Sequence, residues 1–406
     1  MKNLYLITGL LCSLWLCYFF FQNIIEYNFG WENLPRDLSE YSFEGKIDSA
    51  YFAEIQAARP ELREIQRVSK APTVSIAISI NEKTVWSEAL GLQDIQKRIP
   101  ADTSTQFRIG STSKALTSLA LGRLLEEKMI HLDSSIQFYT GHFQKKPKIK
   151  IRQLASHQSG IRNYAACLCF PVWEYYRDKY FFSVEESLND FEDDPLLFLP
   201  GDNFSYSTYN YTALSHAMEK VASTDFLSLM ENQVFDPLEM RSTQPNFKHR
   251  TSSDQSVFYD IRDDEYKISP DVDLSNKWAG GGFISTPSDL VKAGNLLLNE
   301  RFLSSETIQT LIEPQRLNND SINDQKYALG WRHNRSRRFF NGKKEIEIIH
   351  HGGMAIGSQS LLIVFLEYQM VISLLMNRTG EQGKFQLFEY LEPIIEIFIR
   401  KLEMEN

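Results

Sequence analysis

The chain has 406 residues, 43% of them hydrophobic and 23% charged, which is enough to bury one large core or two moderate ones and excludes a disordered chain. A formal net charge of −9 and a sequence pI near 5.5, with no compensating basic stripe, exclude a general nucleic-acid binder. The four cysteines, Cys12, Cys17, Cys167 and Cys169, form neither a disulfide framework nor a spaced zinc site.

Residues 4–21 are uncharged and strongly apolar, about 18 residues that reach the lower limit for a membrane span. No Ala-x-Ala-like cleavage site follows Phe19-Phe20-Phe21-Gln22, so residues 1–24 are expected as an uncleaved anchor, with a cleaved signal peptide as the alternative. Lys2 before the segment and Glu26 beyond it then put the rest of the chain on the extracytoplasmic side, in a periplasm or outside the cell. Residues 25–48 lack periodicity and are expected as a linker, leaving residues 49–406 as one domain.

A helix is expected from Ser49 to about Val68, followed by a hairpin in which Val74-Ser-Ile-Ala-Ile-Ser-Ile80 and Thr84-Val-Trp-Ser-Glu-Ala-Leu90 flank a turn at Asn81-Glu82-Lys83. A second helix is expected from Ser111 to about Lys128, and Pro200-Gly201 closes an acidic stretch with a turn. A third runs from about Thr212 to Val221. Ser288 is expected to cap a fourth, from Asp289 to Leu298, behind Gly280-Gly281-Gly282. Ile346–His350, Ser360–Phe365 and Met370–Leu375 are strand candidates, and Phe385–Lys401 an amphipathic helix. Two strands near the beginning and three near the end imply one antiparallel sheet built from both ends of the chain. The section between them forms a mainly helical lobe, with a cleft where lobe meets sheet.

At the head of the second helix, Ser111 and Lys114 are three residues apart and fall on one face, an arrangement that suits a nucleophile beside its base. The backbone N–H of Ser111 is an unpaired donor of the first turn and suits an oxyanion. Alone, the pair also reads as a helix cap beside a solvated lysine.

Three separated pieces change the balance: Ser111-Thr-Ser-Lys114, Tyr206-Ser-Thr208 and His350-His-Gly352, followed by Gly353. In that order they resemble the three motifs of the serine β-lactamase and penicillin-binding superfamily. Longer strings, Ile151-Arg-Gln-Leu-Ala-Ser-His-Gln-Ser-Gly-Ile-Arg162 and Lys277-Trp-Ala-Gly-Gly-Gly-Phe283 among them, are most similar to its mitochondrial serine β-lactamase-like branch and the bacterial relatives of that branch. The resemblance spans roughly residues 50 to 400. It implies an α/β (α+β) β-lactamase-like fold and a serine hydrolase, a peptidase or esterase, that forms an acyl-enzyme on a peptide or small-molecule substrate. Carried over by motif, Ser111 is the nucleophile, Lys114 its activating partner and Tyr206 the proton relay. The backbone N–H groups of Ser111 and Gly353 form the oxyanion hole, while His350 and Gly352 contact substrate and Thr208 contacts substrate or Lys114. His157 is expected to be structural.

No metal or other cofactor is implied, and the histidines show no metal-ligand spacing in sequence. His350 stands where many antibiotic-hydrolysing relatives carry Lys, and Thr208 where they commonly carry Asn; the expectation is weak β-lactam hydrolysis and substrates without a required carboxylate. Two alternatives stay open: a catalytically weak scaffold that self-assembles into a homo-oligomer, and a cell-wall D,D-peptidase.

Overall fold

The computed structural model describes residues 7–15, 18, 29–164, 174–176, 178–248, 252–380 and 387–405. Its main sheet takes strands from both ends of the chain. In spatial order they are Arg332–Ser336, Ile346–Ala355, Ser358–Phe365, Met370–Met376, Thr73–Ile80, Lys83–Asp94 and Ser42–Ile47, with Ile99–Pro100 added beside Lys83–Asp94. The join between the ends is the antiparallel pairing of Met370 with Ile80 through Met376 with Val74. The hairpin expected near the start forms with Asn81 and Glu82 as its turn, at φ +48° and +65°, the left-handed pair that matches the twist of the flanking strands.

Both faces of the sheet are covered, which explains its side-chain pattern. Val74, Ile76, Ile78 and Ile80 pack under the helices Phe52–Ser69 and Leu387–Glu405. On the other face the small residues Ser75, Ala77 and Ser79 admit helix Pro287–Asn295, and Ser79 Oγ donates to Asn295 Oδ1 at 2.6 Å. The helical lobe lies on that second face, around helices Ser113–Glu126 and Thr208–Ala222.

Several boundaries depart from expectation. Thr286, not Ser288, caps Pro287–Asn295: its side chain accepts from Asp289 N, and Pro287 occupies the first helical position, where a missing N–H costs nothing. Of the stretch expected as a linker, Ser42–Ile47 is the edge strand of the main sheet and Glu32–Asn33 pairs with Glu265–Ile268. Of the expected C-terminal helix, Phe385 lies outside the described residues, as do Cys17, Cys167 and Cys169.

The membrane anchor expected over residues 1–24, and with it the extracytoplasmic placement, is overturned. No helix among the described residues is long and apolar enough to cross a membrane. The helical run at that end, residues 7–15, rises about 14 Å, half or less of a ~30 Å hydrocarbon layer.

Candidate active site

Ser111 sits in a single 3-10 turn, Gly110–Thr112, that leads directly into helix Ser113–Glu126. Strand Phe107–Arg108 delivers the chain to this turn, held by Phe283–Ser285. The helix is buried nearly all round, because Ala115, Leu116, Leu119, Ala120 and Leu121 are apolar on every side and Gly122 admits Leu303. A helix of that kind runs through the core, and it carries Lys114 in with it.

Lys114 is fully buried. Its Nζ lies 3.3 Å from Ser111 Oγ, 3.3 Å from Thr208 Oγ1 and 2.6 Å from the carbonyl oxygen of Gly280. None of these partners is anionic. Burial, with the nearby charge of Arg332 adding to it, drives the Lys114 pKa well below that of a free lysine and favours the neutral amine. Gly280 reaches the lysine because it lacks a side chain: a Cβ there would stand 2.6 Å from Thr208 Cγ2. The ring of Tyr206 lies 4.9 Å from Lys114 Nζ. Burial raises the Tyr206 phenol, and Arg332 and the Ser111 hydroxyl pull it the other way. Ser111, Lys114, Tyr206 and Thr208, from two parts of the sequence, therefore meet at one place. Ser111 and Thr208 line a cleft there, together with Leu274, Lys277 and residues 354–356.

The third motif is placed one residue later than its sequence reading. Along Ile346–Ala355 side chains alternate between faces: Ile346 and Ile348 pack with the C-terminal helix, Ile349 with the lobe. His350 follows the even set, with its ring 5.3 Å from Phe388 and its Nε2 accepting from Asn334 Nδ2 at 3.1 Å, so it does not face Ser111. The fully buried His351 takes the lobe side. Its Nδ1–H donates to the Gly352 carbonyl oxygen at 2.8 Å, which leaves Nε2 to accept from Tyr327 Oη at 3.0 Å.

The same register decides the glycines. Ile356 and Gly357 form a two-residue turn, so Ala355 and Ser358 are the closing hydrogen-bonded pair. Two residues further from the turn, Gly353 and Ser360 are the next such pair, and the N–H of Gly353 is used within the sheet. Gly353 serves by closeness: a Cβ on it would stand 1.9 Å from the Ile109 carbonyl oxygen. Gly352 is not at such a contact, since a Cβ on it would find its nearest neighbours 3.6 Å away. Met354 presents its backbone to the turn of Ser111, since a Cβ on Gly110 (φ +49°) would lie 2.9 Å from Met354 N.

Four further residues belong to the cluster. Arg332 lies 5.5 Å from the Tyr206 ring and 5.1 Å from the Tyr327 ring. His157, at φ +61°, packs with its ring centroid 4.2 Å from that of Tyr206 and 4.6 Å from that of Tyr327, tilted against both. Its Nδ1 accepts from Ser207 N at 3.3 Å, and burial holds its pKa far below the usual histidine value. Lys277 is pushed down to about 8 by burial. For Lys277 and His157 the sequence offered a signal, the strings around them; Arg332 and Tyr327 stand in no motif and become visible only once the strands pair.

Comparison with known proteins agrees with this geometry. A family model described as Beta-lactamase matches residues 62–391. The serine beta-lactamase-like protein LACTB, mitochondrial, of Homo sapiens is 29% identical over 77% of this chain and 72% of its own length. Penicillin-binding protein 4* of Bacillus subtilis is 22% identical over 72% of this chain and 65% of its own. Among solved structures, the octameric penicillin-binding protein homologue from Pyrococcus abyssi superposes with a TM-score of 0.69 at 20% identity, covering 87% of this chain and 78% of that one. The D-amino acid amidase from Ochrobactrum anthropi gives 0.70 at 20% identity, over 86% and 99%. The fold, the order of the motifs and the family match lead to one conclusion: the chain belongs to the β-lactamase family, within the superfamily of serine β-lactamases and penicillin-binding proteins.

Proposed function

We propose that the chain is a serine hydrolase that forms an acyl-enzyme at Ser111, acting as a peptidase, amidase or esterase with weak β-lactamase activity. The observation that carries this reading is the buried, charge-unpaired Lys114 with its amine 3.3 Å from Ser111 Oγ. A neutral amine at that distance accepts the serine proton as Oγ attacks a carbonyl carbon. Tyr206, beside both groups, passes a proton to the leaving atom, and the reverse sequence lets water release the acyl group. The tetrahedral oxyanion is held by the backbone N–H of Ser111 and, in place of Gly353, that of Met354. His351 and Tyr327 act beneath the site by fixing Tyr206 and Arg332, and His350 has no part in substrate contact.

Arg332 also revises the substrate expectation. A permanent cation beside Tyr206 favours a substrate with an anionic group, such as a peptide with a free carboxylate, which supports the D,D-peptidase or amidase reading. The test is labelling of tag-free protein by a fluorescent penicillin and a fluorophosphonate, with turnover of peptide, amide and ester panels. Labelling that vanishes in Ser111→Ala supports the assignment. Undiminished labelling of Ser111→Ala overturns the nucleophile, and absent acylation with concentration-dependent assembly points to the scaffold reading.

A further inference from the structure

The fold brings together three residues that sequence spacing keeps apart: His142, in the loop after Ile136–Thr140; Glu185, on Val184–Leu188; and His216, on Thr208–Ala222. We propose that they form a binding site for a first-row divalent metal, with Zn²⁺ the best-matched ion. One ligand atom from each lies within 4.8 Å of the others. His142 Nε2 is already 3.2 Å from Glu185 Oε1. That is close to the ~3.3 Å between two ligands on a tetrahedral zinc with bonds of ~2.0–2.1 Å.

The independent observation is His216. It is only 1% exposed, yet its buried Nε2 has no hydrogen-bond partner, which a native core rarely tolerates. The groups behind both rings account for this. His142 Nδ1 faces Glu192 Oε2 at 2.8 Å, and His216 Nδ1 faces Glu219 Oε2 at 3.4 Å. Each of these carboxylates is fixed in turn by a backbone N–H at 2.8 Å, from Phe143 to Glu192 and from Phe226 to Glu219. A carboxylate on Nδ1 keeps the proton there and leaves the Nε2 lone pair for a metal, the usual support for metal-binding histidine. Two neutral imidazoles and one carboxylate suit zinc better than calcium or magnesium, which take oxygen ligands. Glu185 is exposed and adjustable; its contact with Lys220 Nζ at 3.3 Å competes with the ion. The bound ion would tie three segments of the lobe together, one of them the helix whose first residue, Thr208, contacts Lys114.

The test uses tag-free full-length protein stripped with a chelator and titrated with Zn²⁺ by calorimetry and by competition with a chromophoric chelator. Expected are one Zn²⁺ per chain, a rise in Tm on binding and visible absorption with Co²⁺. His142→Ala and Glu185→Gln, both at accessible positions, should keep the fold and lose these signals, and Glu192→Gln should weaken binding by ~10–100-fold. Absence of stoichiometric binding by the wild type, or binding left unchanged in a folded His142→Ala, overturns the site.

Discussion

Replacing Gly353 with Ala tests how the nucleophile and the oxyanion donors are held together. The new methyl would stand 1.9 Å from the Ile109 carbonyl oxygen and 2.5 Å from Ser360 Oγ. Both are fixed atoms, since Ser360 Oγ donates to that same carbonyl at 2.7 Å. The strand must therefore retreat from the Ser111 turn by about 1 Å, because close-packed cores have no spare volume. Overpacking of this kind costs ~1–3 kcal/mol of stability. It also moves Met354 N–H away from the oxyanion, and a misplacement of ~1 Å costs about 10²-fold in rate, or ~2.7 kcal/mol of barrier. Gly352→Ala is the control one residue away: its methyl finds neighbours only at 3.6 Å, an ordinary contact. Steady-state kinetics on whichever ester or amide is turned over, with circular dichroism to confirm folding, should show kcat about 100-fold lower for Gly353→Ala and within about threefold of wild type for Gly352→Ala. A folded Gly353→Ala with near wild-type kcat, or equal losses in both variants, would refute the placement of the oxyanion donor at Met354.

Lys114→Arg removes the base and puts a fixed positive charge in its place, since a guanidinium stays protonated, so kcat/KM should fall by ~10³-fold or more while wild-type activity rises with pH as Lys114 loses its proton. A wild-type kcat/KM that falls as pH rises would count against the neutral amine. Tyr206→Phe should lower kcat by ~10²–10⁴-fold with Tm little changed; unaltered turnover would remove Tyr206 from proton transfer. Arg332→Gln should raise KM for carboxylate-bearing peptides at least ~10-fold and leave neutral esters alone, and equal effects on both would deny it a recognition role. Stability should fall on acidification: burial lowers His350 to about 3 and drives His157 and His351 well down, so the unfolded chain binds more protons below an ordinary histidine pKa. The stability is complete above about pH 6.5 and is lost progressively below it as pH falls toward those depressed values; chemical denaturation at pH 7 and pH 4.5, with the larger free energy at the lower pH, would contradict it.

The sequence by itself determined the elements whose pattern is local. The Ser49–Val68 helix, the hairpin at Asn81-Glu82 and the three late strands follow from periodicity and turn chemistry, and a three-residue step along a helix start puts Ser111 and Lys114 on one face, within reach of each other. Motif order then pointed to Thr208, whose hydroxyl does reach Lys114. What the tertiary structure alone decided is which face each strand residue takes. Ile346–Ala355 is covered on both sides, so Ile348 and Ile349 are both apolar and the alternation that would separate His350 from His351 is erased; a slip of one residue exchanges the faces, and only strand pairing fixes it. The apolar run at residues 4–21 met the hydropathy expected of a span, yet no helix among the described residues is long and apolar enough to cross a membrane. Arg332 beside Tyr206, and the meeting of His142, Glu185 and His216, depend on segments distant in sequence, and no local spacing carries the distance between them.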